Sequence, residues 1–273
     1  MAQVSRCENP RRRRRGTLAP SSGGRHMSFA SGWRASFRRM ARKATVRHLL
    51  VALVVMGLVL SFSAIHAGWS PMHRWNRAIG DASLVLIAVS VGIGPLARLW
   101  RPAMPLIPFR REMGIHGCLL AVVHAVIILV GWVEWDLMRL FGFEWHPDLL
   151  TYVMLQQGFG LSNAIGIAAL ILTSVLAATS SDAAIRRLGL SGWKFLQMGV
   201  LPLWWLTVAH VGYFLFLHFL SFHRATPEPN PLQYWFVGLV VLVLGLRSTA
   251  YLRTISAKGA SAPRRKEPDH ETI

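Results

Sequence analysis

Residues 111–132 read REMGIHGCLLAVVHAVIILVGW, a run apolar and long enough to cross lipid that nevertheless holds two histidines, His116 and His124. A bilayer core of about 30 Å takes about 20 mostly apolar residues as a helix, because lipid offers no partner to backbone N–H and C=O groups. An imidazole inside such a helix is costly, and it generally faces the bundle interior with a partner or a bound group. The stretch thus sets both the fold class, an integral membrane helix bundle, and the question of what its histidines hold.

Five more runs of the same kind flank it. They lie near residues 48–66, 79–97, 157–178, 196–220 and 232–250, with this one at 113–133, separated by Pro-rich, charged or Gly/Asn/Ser-containing connections. Across 273 residues, 53% are hydrophobic and only 15% charged, a balance foreign to soluble domains. The expectation is an all-α, six-helix transmembrane domain over 48–250. It is preceded by a basic tail, 1–47, rich in Arg, Ser and Gly and expected to be disordered, and followed by a C-terminal tail, 251–273.

Charge orients the bundle. With the N-terminus inside, the inner segments carry 26 of the 30 Lys and Arg, and the outer ones only Arg74, Arg77, Arg139 and Arg224. The largest outer loop is acidic, with Glu134, Asp136, Glu144 and Asp148. This is the positive-inside pattern, so both termini are expected in the cytoplasm of a bacterial inner membrane, with Trp69, Trp75, Trp100, Trp132, Trp135, Trp193 and Trp235 near the interfaces. The first span is long for a signal-peptide core, and Ile65 spoils the small-residue pattern before Ala67.

The net charge of +18, including RRRRR at 11–15, reads as topology determinant and anionic-lipid contact, since no nucleic-acid-binding module surrounds it. Cys7 and Cys118 lie in different environments and form no CxxC or CxxCH motif. There is no GxGxxG, P-loop, HExxH or GxSxG, which removes nucleotide-binding and hydrolase readings.

Histidine depth carries the rest. At about 1.5 Å per residue, His124 lies roughly 17 Å from the start of its span and His210 roughly 21 Å from the start of the fifth, so two imidazoles on non-adjacent helices share a level just outside the midplane. Such a pair suits the two axial positions of a low-spin b-type haem. A helix-packing hydrogen bond or a polar cavity remains the alternative, which would make the chain a haem-free transporter or assembly factor. His116 lies near the inner face and His218 near the outer end of the fifth span. Asp81, the lone acid in a span, is expected to pair with Arg77 or reach the interface, and Pro202 to bend the fifth helix.

The segments RREMGIHGCLLAVVHAV (110–126) and LGLSGWKFLQMGVLPLWWLTVAHVGYFLFLH (188–218) resemble the ferric-reductase-like transmembrane family, especially its short bacterial branch, the MsrQ/YedZ haem-binding membrane subunits. The first segment is similar to that family's paired arginines, Met-Gly, and a histidine ten residues on, here His124, which the resemblance implies is a haem ligand. The second is similar to a Gly-Trp-Lys stretch followed by two histidines thirteen residues apart. The second of those falls on His210 and the first on Gln197, an amide that is a poor axial ligand, with Met198 replacing the following Arg. The resemblance therefore implies one haem b on His124 and His210, with a second haem using His116 the weaker expectation.

Membership of that family implies an electron-transfer subunit of an oxidoreductase. With 23 residues after Ala250 there is no room for a flavin and nicotinamide domain, so a separate donor is expected, a quinol or a flavin such as FMN reduced by a soluble reductase. The acceptor would lie outside, as a periplasmic oxidoreductase partner or ferric iron. Arg110 and Arg111 read first as ordinary inner flanks, and second as holding a flavin phosphate or haem propionate. Trp204 and Trp205 read first as packing, and second as lining a haem or quinone pocket. A cytochrome of the b561 kind, which uses four histidines in two cross-helix pairs, is disfavoured by the shortage of suitably placed histidines.

Overall fold

In the computed structural model, residues 43–154, 158–218 and 230–261 are described, with side chains to 257. Each long Leu/Val/Ile/Ala run becomes a helix, since only internally bonded backbone survives in lipid. They are α1 (Ala44–Ile65), α2 (Pro71–Leu99), α3 (Phe109–Ile127), the four-residue α4 (Leu137–Leu140), α5 (Phe159–Ala178), α6 (Asp182–Gln197), α7 (Val200–Gly212) and α8 (Gln233–Ser261). Pro71 occupies the first turn of α2, where its missing N–H costs nothing. Six segments are long and apolar enough to cross a membrane: α1, α2, α3 with its extension to Trp132, α5, the α6–α7 segment Asp182–Leu217, and α8.

The boundaries shift outward from the sequence-based ones. α1 starts at Ala44, inside the stretch read as tail, and α8 continues to Ser261, past residue 250. The expectations for residues 1–42, for Arg224, and for 262–273 fall outside the described residues.

The fifth span is divided. α6 is amphipathic, capped by Ser181 Oγ accepting from Ala184 N at 3.1 Å, and bent at Gly189, whose φ is 71°. It has no buried residue and presents Leu188, Leu190 and Phe195 alongside Arg186, Arg187 and Lys194, a composition suited to the membrane surface. The chain breaks at Met198 and Gly199 before α7 begins. The bend expected at Pro202 is therefore not where sequence placed it: Pro202 sits in the first turn of α7, among N–H groups that a helix leaves unpaired in any case.

α2 is the hub. It is buried along most of its length and packs against α1, α3, α7 and α8, while α5 packs against α3 and α7. Lipid supplies no hydrophobic drive for helix association, so close approach of small residues has to do it. Ala78, Ala82, Ser83, Ala88 and Gly92 form the buried surface of α2 that allows this approach. Interhelical polar links add direction: Ser83 Oγ donates to Gly117 O at 2.8 Å, and Arg110 Nε to Ser90 O at 3.1 Å. Each such bond contributes on average only about 0.6 kcal/mol in a membrane, so they set register rather than hold the bundle.

The loop after α3 carries a feature that the sequence did not signal. Phe143–His146 and Thr151–Met154 pair as a short antiparallel hairpin, β1 and β2, with Trp145 and Tyr152 facing each other across it, ring centroids 5.4 Å apart. Asp136 anchors the approach by accepting from Met138 N at 2.9 Å and from the Tyr152 hydroxyl at 3.4 Å.

Ala82 lies within this packing, fully buried on α2. Ala82→Leu should overpack the hub and destabilise the bundle by about 1–3 kcal/mol, read as a lower melting temperature in detergent. A melt equal to the parent protein's would contradict the hub role of α2.

Candidate functional site

Four helices converge on two imidazoles. His124 on α3 and His210 on α7 face each other with ring centroids 6.5 Å apart and planes at 87°. His124 Nδ1 lies 3.0 Å from the carbonyl oxygen of Asn76 on α2, and His210 Nδ1 lies 2.8 Å from that of Ser162 on α5. A carbonyl oxygen only accepts, so in both neutral rings Nδ1 carries the proton and Nε2 is the lone-pair nitrogen. This is the tautomer that metal-bound histidines adopt when their other nitrogen is fixed by a backbone carbonyl.

The two halves are built alike. Asn76 is followed four residues later by Gly80, and Ser162 by Gly166. In a helix the carbonyl of residue i already accepts from the N–H of i+4, and residues i and i+4 lie on one face. A side chain at i+4 would cover that carbonyl. A Cβ on Gly80 would lie 3.0 Å from His124 Nδ1, and a Cβ on Gly166 would lie 2.6 Å from His210 Nδ1 and Cε1. Glycine at each position lets an imidazole from the neighbouring helix reach the carbonyl's second lone pair. Ser162 Oγ returns a hydrogen bond to His210 O at 3.3 Å, fastening α5 to α7 at this level. Just beyond each histidine the helix widens into a π-helical turn, Ile128–Trp132 after His124 and Tyr213–Leu217 after His210. Such turns are frequent at functional sites.

The separation can be tested against a bound metal. A first-row ion holds an imidazole nitrogen at about 2 Å with the ring centroid roughly 1 Å further back, so two rings on opposite sides of one ion have centroids about 6 Å apart. The observed 6.5 Å is close to that separation, so His124 and His210 would fit as the two protein ligands of one iron. Among the described residues no three or more His, Cys, Asp or Glu side chains converge as they would on a bare ion. A porphyrin, which brings its own four equatorial nitrogens, needs only the two.

The other residues singled out from sequence fall in different places. Trp204 is fully buried at the centre of the α2, α5, α7 and α8 packing, and its indole Nε1 has no hydrogen-bond partner. Asn76 Oδ1 is likewise unpartnered, next to the carbonyl that holds His124. Arg111 is turned outward, 3.4 Å from Asp182 at the start of α6. It is Arg110 that folds inward onto Ser90, close enough to Arg98 and Arg247 for mutual repulsion. His116 is not brought to His124 or to Gln197: its ring lies against His48 of α1, centroids 5.4 Å apart. Gln197 reaches the C-terminal end of α5, with Nε2 3.4 Å from both Leu176 O and Thr179 Oγ1. His218 is buried among Phe159, Tyr213 and Phe214.

Sequence reasoning missed two buried polar groups. His66 is 2% exposed and its Nε2 lies 2.7 Å from Asp81 Oδ2, a partner for that acid that the sequence did not signal. Arg77 stacks over Trp69, 3.8 Å from the ring centroid. The fourth residue of α3, Glu112, is almost fully buried and is bonded to Arg47 of α1. Neither pairing has a local spacing signal, since the partners are 15 and 65 residues apart.

Comparison with known proteins gives the geometry a context. The family described as ferric reductase like transmembrane component matches residues 79–208. A Bordetella parapertussis protein named "Protein-methionine-sulfoxide reductase heme-binding subunit MsrQ" is 30% identical over 186 residues, 67% of this chain and 78% of its own length. Proteins of the same name from Ralstonia nicotianae and Rhodospirillum rubrum are each 28% identical. The first match runs over 169 residues, 58% of this chain and 70% of the relative, and the second over 217 residues, 79% and 90%. His124 falls within the family match and His210 two residues past its end, and the chain belongs to the ferric-reductase-like transmembrane family as a divergent member similar to the MsrQ subunits.

Proposed function

We propose that this multi-pass membrane protein is the haem-carrying, electron-transferring subunit of an oxidoreductase, with one haem b held by His124 Nε2 and His210 Nε2. The observation that carries the reading is the opposed imidazole pair, 6.5 Å between centroids, each with Nδ1 fixed by a helix carbonyl. The relatives' name, a heme-binding subunit of a methionine sulfoxide reductase, supports the same role.

The haem would supply a one-electron carrier closed to substrate, since both axial positions are taken. The chain's own residues do the rest. The carbonyls of Asn76 and Ser162 hold the two rings in one tautomer and one orientation, which raises their basicity as ligands. The apolar surroundings contributed by α2, including Leu84, Ile87 and Val91, exclude water from the bundle centre. Trp204 Nε1–H is a donor available to a polar edge of the cofactor. The inward-facing Arg110, with Arg98 and Arg247 near it, offers positive charge to a propionate or to the phosphate of a flavin such as FMN. Arg111, paired with Asp182, is the less suitable candidate for that task.

In the orientation set by the positive-inside pattern, with both termini in the cytoplasm of a bacterial inner membrane, electrons enter from a quinol or a reduced flavin and leave outward to a periplasmic oxidoreductase. A single haem is favoured, since Gln197 serves as a hydrogen-bonding cap on α5 and His116 faces α1.

The test is spectroscopic. Protein expressed with ample haem and reduced with dithionite should show a b-type Soret and α-band. Both should vanish in His124→Ala and in His210→Ala but persist in His218→Ala, whose ring sits in an aromatic cluster. Folded but colourless parent protein would instead favour a transporter or assembly factor with a His-lined cavity.

Gly166→Ala probes the supporting geometry. Its added methyl displaces the His210 ring and breaks the bond to Ser162, so haem retention should fall by roughly 10–100-fold, the usual cost of losing an outer-shell partner. Gly80→Ala, with a looser 3.0 Å approach, should lose less. Equal, full haem occupancy in both variants, measured by pyridine haemochrome, would contradict the assignment of these carbonyls.

A further inference from the structure

The end of the bundle where α2 stops and α3 starts gathers guanidinium groups. Arg110, in the first turn of α3, folds back over α2, with Nε donating to Ser90 O at 3.1 Å. Its guanidinium lies in the notch left by Gly94, where a Cβ would stand 3.2 Å from Nη1 and 3.4 Å from Cζ. α8 runs along the same stretch of α2. Leu246 comes within 4.0 Å of the Cβ position of Gly92, and Arg253 Nη1 donates to Leu99 O at 3.2 Å. Arg247 thereby comes level with Arg110, and Arg98, in the last turn of α2, is near enough to repel both. Among the described residues the carboxylates are placed elsewhere. Glu112 is bonded to Arg47, Asp182 lies beside Arg111 and Asp81 beside His66, while Glu134, Asp136, Glu144 and Asp148 belong to the loop beyond the far end of α3.

Arginines that merely flank a span extend their heads to water. Arg110 and Arg247 are instead half-buried, each against others of its own sign, which raises the energy of the bundle unless an anion answers them. The positive end of the α3 dipole acts in the same direction. The anion that suits guanidinium forks carries several acceptor oxygens in one small group, as a phosphate does. Its surroundings favour a lipid as the source. Trp100 at the end of α2, and Tyr251 and Leu252 next to Arg253 on α8, are exposed and offer the interfacial and apolar surface that glycerol and acyl chains need. Basic pockets between spanning helices are where lipid headgroups bind.

We propose that Arg98, Arg110, Arg247 and Arg253 form a site, at the seam of α2, α3 and α8, for the phosphate headgroup of an anionic phospholipid such as phosphatidylglycerol. The phosphate oxygens accept from the guanidinium groups of Arg110 and Arg247, which turns a repulsion across the seam into two attractions. Arg98 and Arg253 are exposed and form the rim. The lipid thereby joins α3 to α8, both of which pack on α2. The site goes beyond the redox reading. Arg110 and His124 are fourteen residues apart on α3, an axial rise of about 21 Å, and the lipid binds with or without haem. A flavin phosphate would bring the same oxygens from a soluble source, and the experiment separates the two.

The experiment titrates the full chain, delipidated in detergent, with phosphatidylglycerol, phosphatidylcholine, FMN or inorganic phosphate, and reads melting temperature and native mass spectra. Phosphatidylglycerol should raise the melting temperature and stay bound at collision energies that remove phosphatidylcholine. FMN and inorganic phosphate at equal concentration should do neither. Arg247→Gln should weaken phosphatidylglycerol binding by about fivefold or more. The double variant Arg186→Gln/Arg187→Gln removes two cations from α6 instead and should bind the lipid as the parent does. Where Arg247→Gln gives no folded protein, Arg98→Gln, at an exposed position, decides. Parent-like affinity in Arg247→Gln overturns the proposal, and so does an equal loss in the α6 variant, which would mark diffuse surface charge. Displacement of the lipid by FMN or by inorganic phosphate overturns it as well, by assigning the arginines to a soluble phosphate. A colourless parent would sink the haem reading and leave these lipid measurements unchanged.

Discussion

The arrangement depends on a helix carbonyl accepting two hydrogen bonds. In lipid every polar atom needs an internal partner, and an imidazole has two nitrogens to satisfy. Here Nδ1 of each histidine is satisfied by a carbonyl that is already part of a helical ladder, Asn76 on α2 and Ser162 on α5, reached because the residue four positions on is glycine. That leaves Nε2 as the only open valence on each ring. The repetition of the device on two unrelated helices is what separates it from an incidental packing bond. A histidine used only to tie helices together would be satisfied by one such contact; two facing ones, each with Nε2 left over and ring centroids 6.5 Å apart, are what the proposed haem would need.

The same constraint explains why the two ends of the bundle differ. Where the family pattern would carry a further histidine, Gln197 caps the end of α5 through Leu176 O and Thr179 Oγ1. An amide supplies donors to carbonyls that a helix terminus leaves unpaired. The potential partner, His116, is turned to α1, where it joins His48 and the Arg47–Glu112 pair. The polar groups near the N-terminal ends of α1 and α3 thus form a cluster between those helices, and the imidazole pair stands between α3 and α7. Two separate polar centres on one helix, α3, give that helix its mixed composition.

Much of the fold was legible because lipid enforces it. All six apolar runs became spanning helices, since length and hydropathy alone decide that outcome. The pairing of His124 with His210 was legible through depth, because residue rise along a helix is fixed. Azimuth was not. Whether a side chain faces α1 or α7 depends on packing partners distant in sequence, and so the orientation of His116, the inward turn of Arg110 rather than Arg111, and the His66–Asp81 bond were hidden. The break before α7 was misplaced for a related reason. Proline signals a discontinuity but not its side, and Met198–Gly199 took the turn, which left Pro202 in a first turn that tolerates it. The hairpin at 143–154 is eight strand residues in a loop, too short for alternation to register against aromatic and acidic neighbours.

Glycine four residues after a carbonyl is too common to signal anything alone, yet in a membrane it acquires meaning once a histidine stands opposite. α3 and α7 pack chiefly on α2 and α5. Their mutual geometry is therefore set through those two helices, by the carbonyls of Asn76 and Ser162 and by the small-residue surface of α2. Interhelical hydrogen bonds at about 0.6 kcal/mol each are weak clamps, so the spacing between α3 and α7 is preorganised by packing rather than enforced by the rings themselves. A group bound between them would add a direct link across the bundle and stabilise it by mass action, in proportion to the logarithm of its concentration over its dissociation constant. The close packing around α2 then sets the separation of the two rings before any such group is bound.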